Sequence, residues 1–116
     1  MNAQTERLSL AGPAGAIEVA RDAAAAGVAP RGVAVIAHPH PLFGGTMDNK
    51  VVQTLARAFV QTGWETIRFN FRGVGASAGV HDAGRGEAQD LVEVVRQVAP
   101  QGPLALAGFS FGAFVT

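Results

Sequence analysis

The sequence predicts an α/β protein in which helices cover a mainly parallel sheet, after an initial pair of antiparallel strands. Two short segments with alternating apolar and polar residues come first, and a strand–helix–strand–helix–strand pattern follows them. The third predicted strand is apolar at every position, as expected for a strand covered on both faces. Alternating strands and helices need crossover connections, which give parallel pairing and place helices on the sheet faces.

Length and composition limit the classes of protein to which the chain can belong. Its 116 residues fit one domain. Nine basic and nine acidic side chains give a formal net charge of zero, which argues against nucleic acid or an anionic membrane as a partner. Cysteine is absent, so a disulfide framework, a thiolate nucleophile and a zinc–thiolate site are excluded. No signal peptide is recognisable and no apolar run reaches the roughly 18 residues of a membrane span, so we expect a cytoplasmic protein.

The first three strands are predicted within the first third of the chain. Alternation at residues 8–11 and 16–20 around a glycine-containing turn favours a half-exposed antiparallel pair. Residues 33–37 form an apolar run typical of a central strand. The alanines at 23–26 lie between strands and are predicted to form a loop.

Two helices are predicted between the later strands. Asp48 or Asn49 can cap the first helix, and Gly63 suits its end. A strand at 65–71 and a glycine-rich loop at 72–79 follow. The second helix is predicted over 86–98, with an apolar face of Ala88, Leu91, Val95 and Val98.

The last predicted elements surround a Gly-x-Ser-x-Gly motif. Residues 104–107 form an apolar run that predicts a buried strand, and a third helix is predicted to begin at Ala113. Gly108, Ser110 and Gly112 lie between them, as in a nucleophile elbow, where a serine stands on a sharp strand-to-helix turn. Such a turn is strained and crowded, which explains glycine on both sides. A glycine turn without function remains the alternative, since the chain is rich in glycine.

The elbow and an earlier loop predict a pair of backbone donors for an oxyanion. The amide of Phe111 lies at the start of the predicted helix, where free N–H groups favour negative charge. Pro39 and Pro41 have no N–H, so His40 is the donor between them, and the flanking prolines stiffen its loop. Two alternatives remain: His38 and His40 bind a metal ion, or the loop is a rigid turn without function.

Three segments of the chain carry a resemblance to known proteins. They are Ala37-His38-Pro39-His40-Pro41-Leu42-Phe43-Gly44-Gly45-Thr46-Met47-Asp48-Asn49-Lys50-Val51-Val52, Asn70-Phe71-Arg72-Gly73-Val74-Gly75-Ala76-Ser77-Ala78-Gly79 and Gly108-Phe109-Ser110-Phe111-Gly112-Ala113. Together they resemble one bacterial group within the α/β-hydrolase superfamily, related to dienelactone hydrolases and serine aminopeptidase-like esterases. The resemblance implies the α/β-hydrolase fold, with Ser110 as nucleophile and with Phe111 and His40 as oxyanion donors. It implies a small acyl substrate and neither a metal nor a cofactor.

Other polar residues near these motifs have simpler explanations. Arg72, Gly73 and Gly75 are expected to shape the loop at the end of a strand more than to contact substrate. Ser77 lies in a loop without the strand-to-helix context of a nucleophile. His81 precedes Ser110, whereas the order in this fold is Ser, then Asp or Glu, then His, so a triad role for His81 is not expected.

The sequence departs from the hydrolase pattern after its elbow, because no acidic residue and no histidine follows Ser110 before Thr116. We therefore expect residues 1–116 to form the N-terminal part of one α/β-hydrolase domain, truncated after the elbow and inactive alone. The 104–107 strand would then be an exposed edge that invites pairing with another chain. The alternative function is accordingly a non-catalytic domain that acts through self-association or association with a partner. Nothing in the residues separates ester from amide substrates.

Overall fold

The N-terminal strands form a hairpin at one edge of the sheet. The computed structural model describes residues 4–41 and 44–116. Strands β1 (Glu6–Gly12) and β2 (Gly15–Asp22) are antiparallel, with Leu10 opposite Ile17. The turn between them requires Gly15, whose φ of 117° strains a residue with a side chain. Both strands are longer than predicted because their pairing continues to Glu6 opposite Arg21.

Three further strands complete a five-stranded sheet: β3 (Gly32–Ala37), β4 (Trp64–Phe69) and β5 (Leu104–Gly108). The strand order is β1-β2-β4-β3-β5. Strand β3 pairs in parallel with both β4 and β5, whereas β2 is antiparallel to β4. This topology confirms the predicted α/β class. The carboxyl ends of β3, β4 and β5 meet at the edge where open α/β sheets bind ligands.

Helix α1 (Lys50–Gln61) covers one face of the sheet. The side chain of Asn49 accepts hydrogen bonds from the amides of Val51 and Val52, so Asn49 is the cap of the two predicted candidates. Val52 and Ala56 of the helix pack on Ile36 of β3. The helix ends before Gly63, which has the positive φ that its predicted role requires.

Helix α2 (Arg85–Val98) covers the opposite face and contributes to the larger core. The buried members of this core are Ile17, Val19, Val35, Ala37, Ile67, Phe69, Phe71, Leu91 and Val94. Strand β3 therefore contributes Ile36 to one face and Val35 to the other, as its apolar run predicts. In the described part of the chain, no helix is long and apolar enough to cross a bilayer.

A fully buried arginine fixes the segment before α1 against the sheet. Arg68 of β4 donates to the carbonyl oxygen of Met47 at 2.9 Å and to the carboxylate of Asp48 at 3.1 Å. Its guanidinium also lies 3.9 Å from the carboxylate of Asp22, which is itself buried. Two carboxylates thus lie close to the buried positive charge of Arg68. They compensate a charge that would be strongly destabilising without a partner.

Strand β5 forms the other edge of the described sheet. Leu104 is 39% exposed and Leu106 is 45% exposed, so the prediction of a buried strand is wrong for this chain. The exposure arises because β3 is the partner of β5 on one side, and no strand of the described residues pairs on the other. The expectation of an exposed edge is confirmed. Helix α3 (Phe111–Val115) begins two residues earlier than predicted, directly after Ser110.

Candidate active site

Ser110 lies in the tight turn that joins β5 to α3. Its φ of 58° and ψ of −116° lie outside the left-handed well that residues with side chains occasionally occupy. Among the described residues other than glycine, only Ser110 and Ala83 have a positive φ. Backbone strain of this kind costs on the order of 1–3 kcal/mol and is concentrated at functional sites.

Close backbone packing requires the glycines on both sides of Ser110. A Cβ at Gly108 would lie 2.5 Å from the amide nitrogen of Ala113, and a Cβ at Gly112 would lie 2.2 Å from the carbonyl oxygen of Ala37. Both distances are far shorter than ordinary contacts. The glycines therefore allow the turn with Ser110 to sit directly against the end of β3.

Phe111 is the first residue of α3, and its side chain contacts the loop after β3. Its amide is one of the N–H groups that a helix leaves without an internal partner. The centroid of its ring lies 4.8 Å from that of His40 and 5.6 Å from that of Phe71. The structure thus places the ring of His40 beside that of Phe111, the residue that follows Ser110.

His38 has a different environment from His40. The His38 side chain is fully buried; its Nε2 accepts a hydrogen bond from the amide of Phe71 at 3.0 Å, and its Nδ1 lies 2.6 Å from the carbonyl oxygen of Pro39. Burial lowers the pKa of His38 despite the opposing hydrogen bond to Pro39. Because backbone groups engage both ring nitrogens, His38 is not available as a metal ligand beside His40. Leu42 and Phe43 of the same motif lie outside the described residues.

His81 and Glu87 form a pair that was not predicted from the sequence. His81 Nδ1 lies 3.0 Å from the carboxylate of Glu87, and the His81 ring centroid lies 4.8 Å from that of His40 and 5.4 Å from that of Phe111. Glu87 is fully buried and accepts hydrogen bonds from the amides of Asp82 and Gly84. An acidic residue three positions after a helix cap, as Glu87 is after Gly84, was the available signal.

The pKa of Glu87 reflects this arrangement. Burial alone would raise it, but backbone amides, including those of Asp82 and Gly84, and the nearby His81 outweigh burial and lower it. Glu87 therefore holds the start of α2 as a carboxylate. The His81 ring contacts this carboxylate and the rings of His40 and Phe111.

The side chains of Arg72 and Asn70 tie the loop after β4 to neighbouring segments. Arg72 binds the carboxylate of Asp90 through its Nε at 3.0 Å and its Nη2 at 2.8 Å, and Asp90 is almost fully buried. Asn70 accepts a hydrogen bond from the amide of Met47 and donates to Glu18. Arg72 thus makes loop-shaping contacts, as its place at the end of a strand predicts.

An open cavity of about 450 Å³ lies between the loops after β3 and β4. Its described lining consists of Pro41, Gly44, Gly45, Thr46, Arg72, Gly73, Val74, Gly75, Gly79, Val80 and His81. Ser110, His40 and Phe111 do not line it. His81 connects the two regions, because it lines the cavity and contacts both His40 and Phe111.

Known proteins resemble this chain along nearly its whole length, although no protein-family model matches it. The uncharacterized protein RP471 of Rickettsia prowazekii (strain Madrid E) is 41% identical over 108 residues, which are 90% of this chain and 44% of that protein.

Solved structures agree with the fold. XC6422 from Xanthomonas campestris, described as an α/β serine hydrolase without a lid, is 45% identical with a TM-score of 0.90. An α/β serine hydrolase homologue from Coxiella burnetii is 47% identical with a TM-score of 0.89. In both comparisons the match covers 99% of this chain and 55% of the other. A putative α/β hydrolase from Agrobacterium tumefaciens, ATU1826, is 39% identical with a TM-score of 0.83, over 95% of this chain and 51% of its own.

The chain thus spans about half the length of the relatives it matches. Its strand order and the turn at Ser110 belong to the portion they share. From the fold and these likenesses, the chain is a member of the α/β-hydrolase superfamily.

Proposed function

We propose that this chain carries the nucleophile of a serine hydrolase that acts on an ester or a similar acyl compound. The observation that carries the proposal is the backbone of Ser110, strained at φ 58° and ψ −116° between two glycines that tolerate no Cβ. A protein retains strain where the surrounding structure fixes it and function uses it. The serine hydrolases among the similar structures support the same reaction class.

In the proposed reaction, the Ser110 Oγ attacks the carbonyl carbon of the substrate and loses its proton to a base. The amides of Phe111 and His40 stabilise the oxyanion of the tetrahedral intermediate. The bond to the leaving group then breaks, the leaving group takes the proton, and an acyl-enzyme remains. Water attacks the acyl-enzyme, which releases the carboxylic acid and restores Ser110. These steps need neither a metal nor a cofactor.

The base and its acidic partner belong, in this proposal, to a segment outside residues 1–116. Residues 111–116 include no acidic residue and no histidine, and the relatives are about twice as long. Residues 1–116 would then be the N-terminal part of a single hydrolase domain. Without the base, serine stays a protonated alcohol, and only the slow reaction supported by the oxyanion donors remains.

Acylation of Ser110 tests the proposal. We expect incubation with 4-nitrophenyl acetate to give one slow acyl adduct on the peptide that contains Ser110, detected by mass spectrometry. Ser110→Ala should abolish the adduct, whereas Ser9→Ala, an exposed serine of β1, should retain it. An adduct that avoids Ser110 would contradict the nucleophile assignment. Turnover of many equivalents by the chain alone would contradict the external base.

A second candidate function is association through the edge of β5. Leu104 and Leu106 of β5 are partly exposed, and Phe109, which follows the strand directly, is 42% exposed. An apolar edge strand of this kind is a template for pairing with another chain. Sedimentation analysis should show self-association that Leu106→Lys weakens, since a charge on an edge strand opposes pairing. A monomer at every concentration with cooperative unfolding would count against this function.

A further inference from the structure

His38 is held at both ends by the backbone around the candidate oxyanion loop. It follows β3 directly and is fully buried. Its Nε2 lies 3.0 Å from the amide nitrogen of Phe71, two residues after β4, and its Nδ1 lies 2.6 Å from the carbonyl oxygen of Pro39. The ring therefore bridges the end of β4 and the peptide that precedes His40.

The partners of the two nitrogens determine the tautomer. A backbone amide can only donate, so Nε2 facing Phe71 must carry a lone pair. A carbonyl oxygen can only accept, so Nδ1 facing Pro39 must carry the hydrogen. His38 is then a neutral ring that accepts at one end and donates at the other. Its lowered pKa agrees with the neutral form.

The hydrogen bond from Nδ1 bears on His40 because of peptide geometry. The carbonyl of Pro39 and the amide of His40 belong to one peptide unit, and every peptide bond in residues 4–41 and 44–116 is trans. In a trans peptide the C=O and N–H point in opposite directions. Fixing the Pro39 oxygen toward His38 therefore fixes the direction of the His40 N–H.

Neighbouring backbone groups leave this peptide little freedom. Gly45 donates its amide hydrogen to the carbonyl of His40 at 3.0 Å, and a Cβ on Gly45 would lie 2.1 Å from the Pro39 oxygen. The ring of Pro39 fixes its own φ, and Pro41 restricts the backbone of His40. The ring of His38 supplies the side-chain hydrogen bond that selects the orientation.

We propose that His38 is a positioning residue, which sets the direction of the His40 N–H toward the oxyanion by holding the Pro39 carbonyl. The inference rests on the proposed function, in which that N–H is an oxyanion donor. His38 touches no reacting atom. The contrasting role is that of a core histidine that only anchors the loop to β4 through Phe71.

Two substitutions separate these roles because each keeps one of the two hydrogen bonds. The side-chain amide nitrogen of Asn reaches the place of Nδ1, so His38→Asn retains the donor to Pro39 and loses the acceptor for Phe71. The amide oxygen of Gln reaches the place of Nε2, so His38→Gln retains the acceptor and loses the donor. Val52 is a buried residue of α1 that packs on the other face of the sheet, so Val52→Ala serves as the control for general destabilisation.

The first test uses the intact chain and nuclear magnetic resonance. Long-range nitrogen–proton spectra of the wild type should show the hydrogen of His38 on Nδ1. A hydrogen on Nε2, or on both nitrogens near neutral pH, overturns the proposal without any variant. The residual dipolar coupling of the His40 N–H, which reports its orientation, should be kept in His38→Asn and Val52→Ala and changed in His38→Gln. An unchanged coupling in His38→Gln also overturns it.

The second test follows the rate of Ser110 acylation by 4-nitrophenyl acetate, corrected for the folded fraction. Removing an oxyanion donor costs about 10²–10³-fold in rate, so a misdirected donor in His38→Gln should slow acylation by about 10–100-fold. His38→Asn should stay within roughly threefold of the wild type. Equal rates in the two variants overturn the positioning role. If the wild type fails to acylate at Ser110 while the couplings behave as expected, the proposed function fails and the geometric role of His38 stands.

Discussion

Replacing Gly112 with alanine has two opposing effects on stability, at the point where the elbow contacts the end of β3. It raises helix propensity and introduces a steric clash. Gly112 is a buried residue inside α3, where alanine is favoured over glycine by up to about 1 kcal/mol. The added Cβ would lie 2.2 Å from the carbonyl oxygen of Ala37 and 2.6 Å from that of His38. Ordinary carbon contacts are about 3.5 Å, so backbone atoms would have to move by roughly 1 Å.

Packing should prevail over propensity. Overpacking a filled site costs about 1–3 kcal/mol, and we expect the upper end because both obstacles are backbone groups rather than flexible side chains. The net loss of stability is then about 2 kcal/mol, or a Tm lower by about 8 °C for a chain of this size. Urea and thermal unfolding followed by circular dichroism measure it.

The control is the reverse change one residue later. Ala113 is exposed on the same helix, so Ala113→Gly removes helix propensity without altering packing and should cost at most about 1 kcal/mol. If Gly112→Ala proves as stable as the wild type or more stable, the close approach of α3 to the end of β3 is wrong. The steric account of the elbow would then fail with it.

Three further predictions concern the elements around the site. Arg72→Met should lower the free energy of unfolding in urea by about 3–5 kcal/mol, because it leaves the buried carboxylate of Asp90 uncompensated. Adding Asp90→Leu should recover most of this loss, and no recovery would argue against the ion pair. Asn49→Ala should cost about 1 kcal/mol through loss of the cap on α1, whereas Asn49→Ser should restore it; equal losses would contradict capping. Burial lowers the pKa of His38 below 6.5, so the unfolded chain binds more protons just below that pH. The free energy of unfolding should therefore lose nothing to His38 above pH 6.5 and should decrease as the pH falls below that value. His38→Asn should flatten this part of the pH profile. A free energy of unfolding that increases as the pH falls through this range would contradict a neutral His38 ring.

Much of the fold could be predicted because local patterns and tertiary structure agree. The apolar run of β3 is covered on both faces, and the cap and end of α1 are where Asn49 and Gly63 indicate. The strand-to-helix turn at Ser110 follows from glycines whose positions allow no Cβ. At each of these positions a single requirement, such as burial, helix capping, a positive φ or close backbone contact, permits only a few residue types.

The features that were missed depend on contacts between distant segments. Nothing local indicates that Arg68 is buried, because its partners Met47 and Asp48 belong to the segment before α1. Strand β4 ends at Phe69, earlier than its apolar pattern predicts, because the Phe71 amide donates to the His38 ring instead of a neighbouring strand. The exposure of β5 depends on which strand lies beside it, which its own residues do not encode.

The pairing of β5 with β3 also determines when the candidate site can form during folding. Strands β1 and β2 pair across a short turn, whereas Ala37 pairs with Gly108 across most of the chain. Long-range parallel pairing closes a large loop and is intrinsically slow. The candidate oxyanion loop follows β3 and the elbow follows β5, so the two meet only when the pairing of β3 with β5 is complete. On the ribosome, the residues around Ser110 emerge after those of the hairpin and α1, so the site should assemble after these elements have formed.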